Sequence, residues 1–126
     1  MNKEALFRLS GTLLALSAVL LGAFGAHALK DILQERGSSA TWETAVRYQM
    51  WHALALILIS LLNQKPHIRP ITGYCLIAGT LLFSGSLYGL ALGGPIWLGP
   101  ITPLGGLCLI IGWGLLALSS MRHEVQ

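Results

Sequence analysis

Long apolar runs alternate with short polar connectors along this chain, the runs covering residues 6–29, 45–62, 71–92 and 101–119. Each run approaches the ~20 residues that a helix rising 1.5 Å per residue needs to cross about 30 Å of hydrocarbon. Lipid offers backbone groups no water to bond with, so a continuous apolar run calls for a helix, which closes its own hydrogen bonds. A membrane β-barrel would instead read as alternating positions. The pattern predicts an all-α integral membrane protein, a four-helix transmembrane bundle that forms one domain over residues 1–126.

The connectors refine the boundaries. Pro66 and Pro70 fall in the second connector and Pro95 and Pro100 in the third. Pro103 is expected in the first turn of the last helix, where a missing N–H costs little. The first connector, residues 30–49, is the longest. Its opening part can prolong the first helix as far as Gly37, and Thr41 can cap the second helix with Glu43 in its first turn.

Composition changes the picture in one respect. Of 126 residues, 54% are hydrophobic and only 10% charged, against about a quarter charged in soluble domains, which places the chain in a lipid bilayer. The net charge of +3 sits in connectors and tails and not on one face, so no nucleic-acid partner is expected. Lys3, Arg8, Lys65, Arg69 and Arg122 lie on one side. Lys30, Arg36 and Arg47, interleaved with acids, lie on the other. The bias predicts a multi-pass protein of the cell inner (plasma) membrane with both termini cytoplasmic. Trp42, Trp51 and Trp97 would then mark the outer interface, and Phe7 and Tyr74 the inner one.

Ala26-His27-Ala28 has the small-x-small form of a signal-peptide cleavage site. The apolar run before it exceeds the 7–15 residues of a signal-peptide core, however, so a retained anchor is expected. Small residues support retention: Ala15, Ala18, Gly22 and Ala26 form a stripe suited to close helix approach, and Gly85, Gly89 and Gly93 form another. Packing within the bundle is the plain use of such stripes. A homo-oligomer, or docking on another membrane protein, is the sharper one.

The candidate chemistry is a set of polar residues gathered toward the outer half of the spans: His27 on the first helix, Tyr48, Gln49 and His52 on the second, Ser84, Ser86 and Tyr88 on the third, and Thr102 on the fourth. Helices packed along the first stripe would bring the two imidazoles within bonding reach, directly or through Tyr48, Gln49 or a water. The cluster can serve as an interhelical latch, since Ser, Thr, Gln, Tyr and His bond across membrane bundles at about 1 kcal/mol per contact. It can also bind a small polar solute or pass a proton, because ionisable groups inside spans often mark such sites. Two histidines without carboxylate or thiolate company make half of a usual metal shell, and haem between them has no further signal, so no metal or cofactor is expected. Cys75 and Cys108 read as apolar filler. The spans carry no acidic or basic residue near their centres, which argues against a carboxylate-coupled pump. No nucleophile-with-base, phosphate-loop or HExxH pattern appears, which argues against an enzyme.

Four stretches carry a resemblance: LGAFGAHAL, YQMWHALAL, LFSGSLYGLAL, and TPLGG followed by Gly112-Trp113. Together they resemble the YgdD-like family of small multi-pass bacterial inner-membrane proteins, a domain-of-unknown-function family with small eukaryotic transmembrane relatives. The likeness spans nearly the whole chain. It implies a membrane location and supplies no mechanism. Its motif positions include His27, Tyr48, Gln49, His52, Ser84, Ser86, Tyr88 and Thr102, together with Gly85, Pro103, Gly105 and Gly106.

Overall fold

A computed structural model describes residues 1–62 and 68–124. Among the described residues the elements are α1 (Lys3–Ala26), α2 (Lys30–Glu35), α3 (Ser39–Leu62), α4 (Pro70–Ala91) and α5 (Leu98–Glu124). All but α2 are long and apolar enough to cross a membrane, so the all-α, four-span architecture expected from the apolar runs is the one observed. Lys65 and Pro66 lie outside the described residues.

Boundaries move where caps decide them. α1 begins three residues earlier than the apolar run because the Asn2 side chain accepts a hydrogen bond from the Ala5 N–H at 2.8 Å. It stops at Ala26, and the connector folds as the separate α2 and does not prolong α1. α2 and α4 end alike, each on a glycine in the left-handed region: Gly37 at φ 63° and Gly93 at φ 82°. The next N–H then reaches back five residues, Ser38 to the Leu33 carbonyl at 2.9 Å and Gly94 to the Gly89 carbonyl at 2.7 Å. Gly93 is thus a helix stop and does not extend a packing stripe. α3 starts at Ser39, which leaves Thr41 inside the helix and not at its cap. α5 starts at Leu98, so Pro103 lies within the helix and Pro100 occupies the first turn.

The helices pack as a row of neighbours, α1 on α3, α3 on α4 and α4 on α5, with α3 and α4 central. One apolar cluster forms around Phe7, Leu56, Ile59, Leu76 and Leu109, and a smaller one around Leu33, Trp42 and Ala91. Leu13, Leu16 and Leu20 on α1 and Ile110 and Leu118 on α5 are exposed, as lipid-facing side chains must be.

The seams differ from the expected stripes. α1 meets α3 along Gly11, Ala18 and Gly25, spaced by seven. Gly22 lies beside this line, and Ala26 is exposed. A Cβ on Gly11 would stand 2.7 Å from the Ala53 carbonyl oxygen, and one on Gly25 would overlap the Trp42 indole. Steps of four overshoot a 3.6-residue turn and drift around the helix, whereas steps of seven stay on one seam. The same drift defeats the α4 stripe. Gly85 is exposed with nothing within 4 Å, and Gly89 meets only Leu98. The α4–α5 seam runs instead through Gly79, Gly105 and Gly112.

Candidate functional site

Gln49 is the centre of the polar level. Its place on the buried face of α3 leaves it 4% exposed, so an unpaired amide there would be costly. It is not unpaired. Its Nε2 donates to the Leu14 carbonyl at 2.9 Å and to Ser17 Oγ at 2.7 Å, both on α1, and its Oε1 accepts from the Tyr88 hydroxyl of α4 at 2.7 Å. One side chain therefore ties three helices together. The Ser17 hydroxyl in turn donates within α1, its hydrogen shared between the Leu13 carbonyl at 2.9 Å and the Leu14 carbonyl at 3.1 Å.

Two further joints flank this one. Ser84 of α4 donates to the Ala45 carbonyl of α3 at 2.8 Å. Ser86 shares a hydrogen bond of 2.6 Å with Thr102 of α5. Thr44, which continues the polar spacing of α3 upward, turns back to the Ala40 carbonyl of its own helix at 2.9 Å.

His52 makes the joint to α5. Its Nδ1 lies 2.6 Å from the Tyr48 carbonyl, which can only accept, so Nδ1 carries the proton; Nε2 then accepts from the Trp113 indole N–H at 2.9 Å. The two contacts fix one neutral tautomer. Beside this joint α3 and α5 part, leaving a lipid-facing groove of about 780 Å³ walled by Tyr48, Trp51, His52, Phe83, Ile110 and Trp113. The Tyr48 ring packs on Phe83 at 4.6 Å and on Trp51 at 5.1 Å between ring centroids.

Of the residues singled out from sequence, Gln49, Tyr88, Ser86, Thr102 and Ser84 are drawn into interhelical bonds, and His52 and Tyr48 line the groove. His27 stands apart. It is exposed at the end of α1, beside a shallow surface hollow with Leu20 and Phe24, and makes no bond to His52. The reason is register. Gln49 meets α1 at Leu14 and Ser17, so His27 lies ten residues further on, about 15 Å up the helix. α3 also begins earlier than its apolar run suggests, which sets His52 deeper than expected.

Two expected interface aromatics are core instead. Trp42 is 4% exposed; it donates to the Leu21 carbonyl at 2.9 Å and stands edge-on to Tyr88 at 4.7 Å. Phe7 is fully buried in the space left by Gly73. Trp51, Trp97 and Tyr74 are exposed, as anchors would be.

Sequence reading missed Ser17, Trp113 and Ser38, whose hydroxyl donates to the Ala91 carbonyl at 2.7 Å. Trp113 carried a usable signal: an indole N–H well inside an apolar span needs an acceptor, and His52 is an available ring acceptor at that depth.

Fold and site together define a small four-span membrane protein whose helices are joined by paired polar side chains, with an aromatic groove on one flank. The chain belongs to the DUF423 family, described as "Protein of unknown function", whose family model matches residues 21–106. It is similar to UPF0382 membrane proteins. The Staphylococcus epidermidis relative is 44% identical over 117 residues, covering 92% of this chain and 95% of the relative. The Bacillus subtilis relative YwdK is 41% identical over 120 residues, covering 93% and 97%. A Schizosaccharomyces pombe relative is 42% identical over 106 residues, covering 80% and 89%. No solved structure matches. A membrane family of unknown function is thus supported; the narrower YgdD-like grouping stays a resemblance.

Proposed function

We propose that this protein is a structural or accessory membrane subunit without catalysis of its own, and that its polar residues are an interhelical latch. The carrying observation is Gln49, whose amide donates twice to α1 and accepts from α4, so that both of its polar atoms have protein partners. A pathway for a solute or proton needs polar groups that exchange partners along a wet line. Here Gln49 is bonded to Leu14, Ser17 and Tyr88, His52 to Tyr48 and Trp113, and Ser86 to Thr102, each by fixed partners. In this reading the latch sets the spacing of α1, α3 and α4, and the lipid-facing sides of α1 and α5 meet a membrane-protein partner or a second copy.

The competing reading is binding or passage of a small polar solute or proton at the same level. One observation favours it: the groove reaches His52. Its walls are otherwise mainly apolar, which suits a polar solute poorly.

Proteoliposomes carrying a lumenal pH dye separate the two. The latch reading expects acid-pulse relaxation at the rate of protein-free vesicles, and little labelling of His52→Cys by a water-borne thiol reagent. Fast relaxation that His52→Gln abolishes would overturn it.

The inner membrane location with both termini cytoplasmic is part of the same proposal, supported by the basic bias toward the α1 start, Arg69 and Arg122. Reporter fusions at the carboxyl end and within α2 are expected to report cytoplasmic and external sides respectively.

A further inference from the structure

A second cavity, of about 390 Å³, opens where α1 ends, α2 folds over and α3 begins. Its inner wall is apolar, made by Gly22 of α1 and Val46 of α3, with Trp42 at its back. Lys30, Glu43 and Arg47 stand around it. We propose that this cavity is a binding site for one phospholipid, with the headgroup phosphate between Lys30 and Arg47 and the glycerol and first acyl carbons along the Gly22–Val46 wall.

The depth of Arg47 is the main argument. Gly25 packs on Trp42 and Gly22 on Val46, so Arg47 lies level with Gly22, about one turn below the end of α1. A guanidinium at the edge of the hydrocarbon must extend to a polar partner, because leaving five donors in lipid is costly. Its partner within the protein is Glu43, at 3.6 Å, too long for a good hydrogen bond. Its side chain is otherwise 67% exposed. A lipid phosphate is the anion available at that boundary, and its two non-bridging oxygens can take both prongs of the guanidinium fork.

Charge and shape agree. Lys30 and Arg47 against Glu43 leave a surplus of one positive charge, matching one phosphodiester. Gly22, which has no side chain, lets Val46 close the inner wall, since a Cβ there would come within 3.3 Å of Val46, and a larger residue would intrude on the cavity. Ala26, which lines the cavity, is exposed, and Val19, one turn below the Gly22 wall, is 62% exposed, so the cavity opens beside the lipid-facing surface of α1. That lateral opening commits the site to a lipid and not to a soluble phosphate.

The test uses the full chain in detergent, titrated with a fluorescent short-tailed phosphatidylglycerol. Wild type is expected to bind saturably, and Lys30→Gln/Arg47→Gln to bind at least tenfold more weakly. Lys3→Gln/Arg8→Gln, which removes the same charge at the opposite end, is expected to stay within twofold. Gly22→Leu is expected to weaken binding with all charges intact. Lys30→Gln alone, at an exposed position, is expected to cost about threefold and stands in if the double variant does not fold. Equal binding of the matching diacylglycerol, equal loss in Lys3→Gln/Arg8→Gln, or displacement by glycerol phosphate at lipid-like concentrations would overturn the proposal.

Discussion

The two outer helices are held by different means. α5 is attached to α4 mainly by shape: Gly79, Gly105 and Gly112 let the backbones nearly touch, and the Ser86–Thr102 bond is a single polar addition. α1 is attached to α3 by shape and polarity together, through the Gly11, Ala18 and Gly25 line and through the bonds of Gln49 and Trp42. Lipid tails are as apolar as leucine, so burying leucine between helices discriminates little in a membrane. Specific approach must come from close backbone packing or from hydrogen bonds, and this chain uses a different mix at each seam.

Disrupting the shape-based seam gives the largest expected effect. A side chain at Gly105 would land on the Phe83 backbone, which cannot rotate away. Gly105→Val is therefore expected to lower stability by about 3 kcal/mol, at the upper end of overpacking costs. Gly85→Ala, on the same two helices but in open space, is expected to stay within about 0.5 kcal/mol. Thermal unfolding in detergent measures both. Equal losses would mean that the α4 stripe, and not the Gly79–Gly105–Gly112 line, carries the seam.

Breaking the polar seam ranks second. Gln49→Leu keeps the volume but leaves Tyr88 without an acceptor and Ser17 without a donor, with an expected cost of about 2 kcal/mol. Tyr88→Phe alone is expected to cost less, because Gln49 keeps its α1 bonds. Combining the two should fall short of the sum, since both remove the same bond. An additive cycle would mean that the latch does not act as a unit.

These seams also mark how far sequence could be read. Four spans, and most of the side chains that bridge them, were legible because lipid makes every polar residue in an apolar run conspicuous. The partners were less so. Gln49, Trp42 and Ser84 all bond to backbone carbonyls, of Leu14, Leu21 and Ala45, and a carbonyl acceptor leaves no trace in residue type. Register was the other loss. Which turn of α1 meets which turn of α3 depends on Gly11 and Gly25 admitting Ile57 and Trp42, and a stripe counted by fours pointed to Ala26 instead.

The groove side gives a smaller expected effect. Trp113→Phe keeps a ring against His52 but removes the N–H that holds Nε2, at an expected cost of about 1 kcal/mol. His52→Phe in the same background should then add little beyond packing. If Trp113→Phe is silent, α5 is fixed by its glycines alone and the groove width does not depend on the joint.

The smallest expected effect lies at His27, and it is the one that most sharpens the contrast between the buried and open parts of α1. His27 closes the helix through its backbone N–H, which bonds to the Ala23 and Phe24 carbonyls, while its side chain is exposed. Alanine keeps the N–H, so His27→Ala is expected to change stability by less than about 0.5 kcal/mol. His52→Ala leaves the Trp113 indole unpaired and opens a void beneath Tyr48, so its loss should be several times larger. Ala53 faces Gly11, so about 22 Å of helix separates the levels of His27 and His52; with no shared partner, the double variant should equal the sum of the singles within about 0.5 kcal/mol. A coupling clearly above that value would require α1 to slide by several turns against α3, which the Gly11–Ala53 and Gly25–Trp42 contacts forbid. It would therefore count against the packing of the whole α1–α3 pair and not against one side chain.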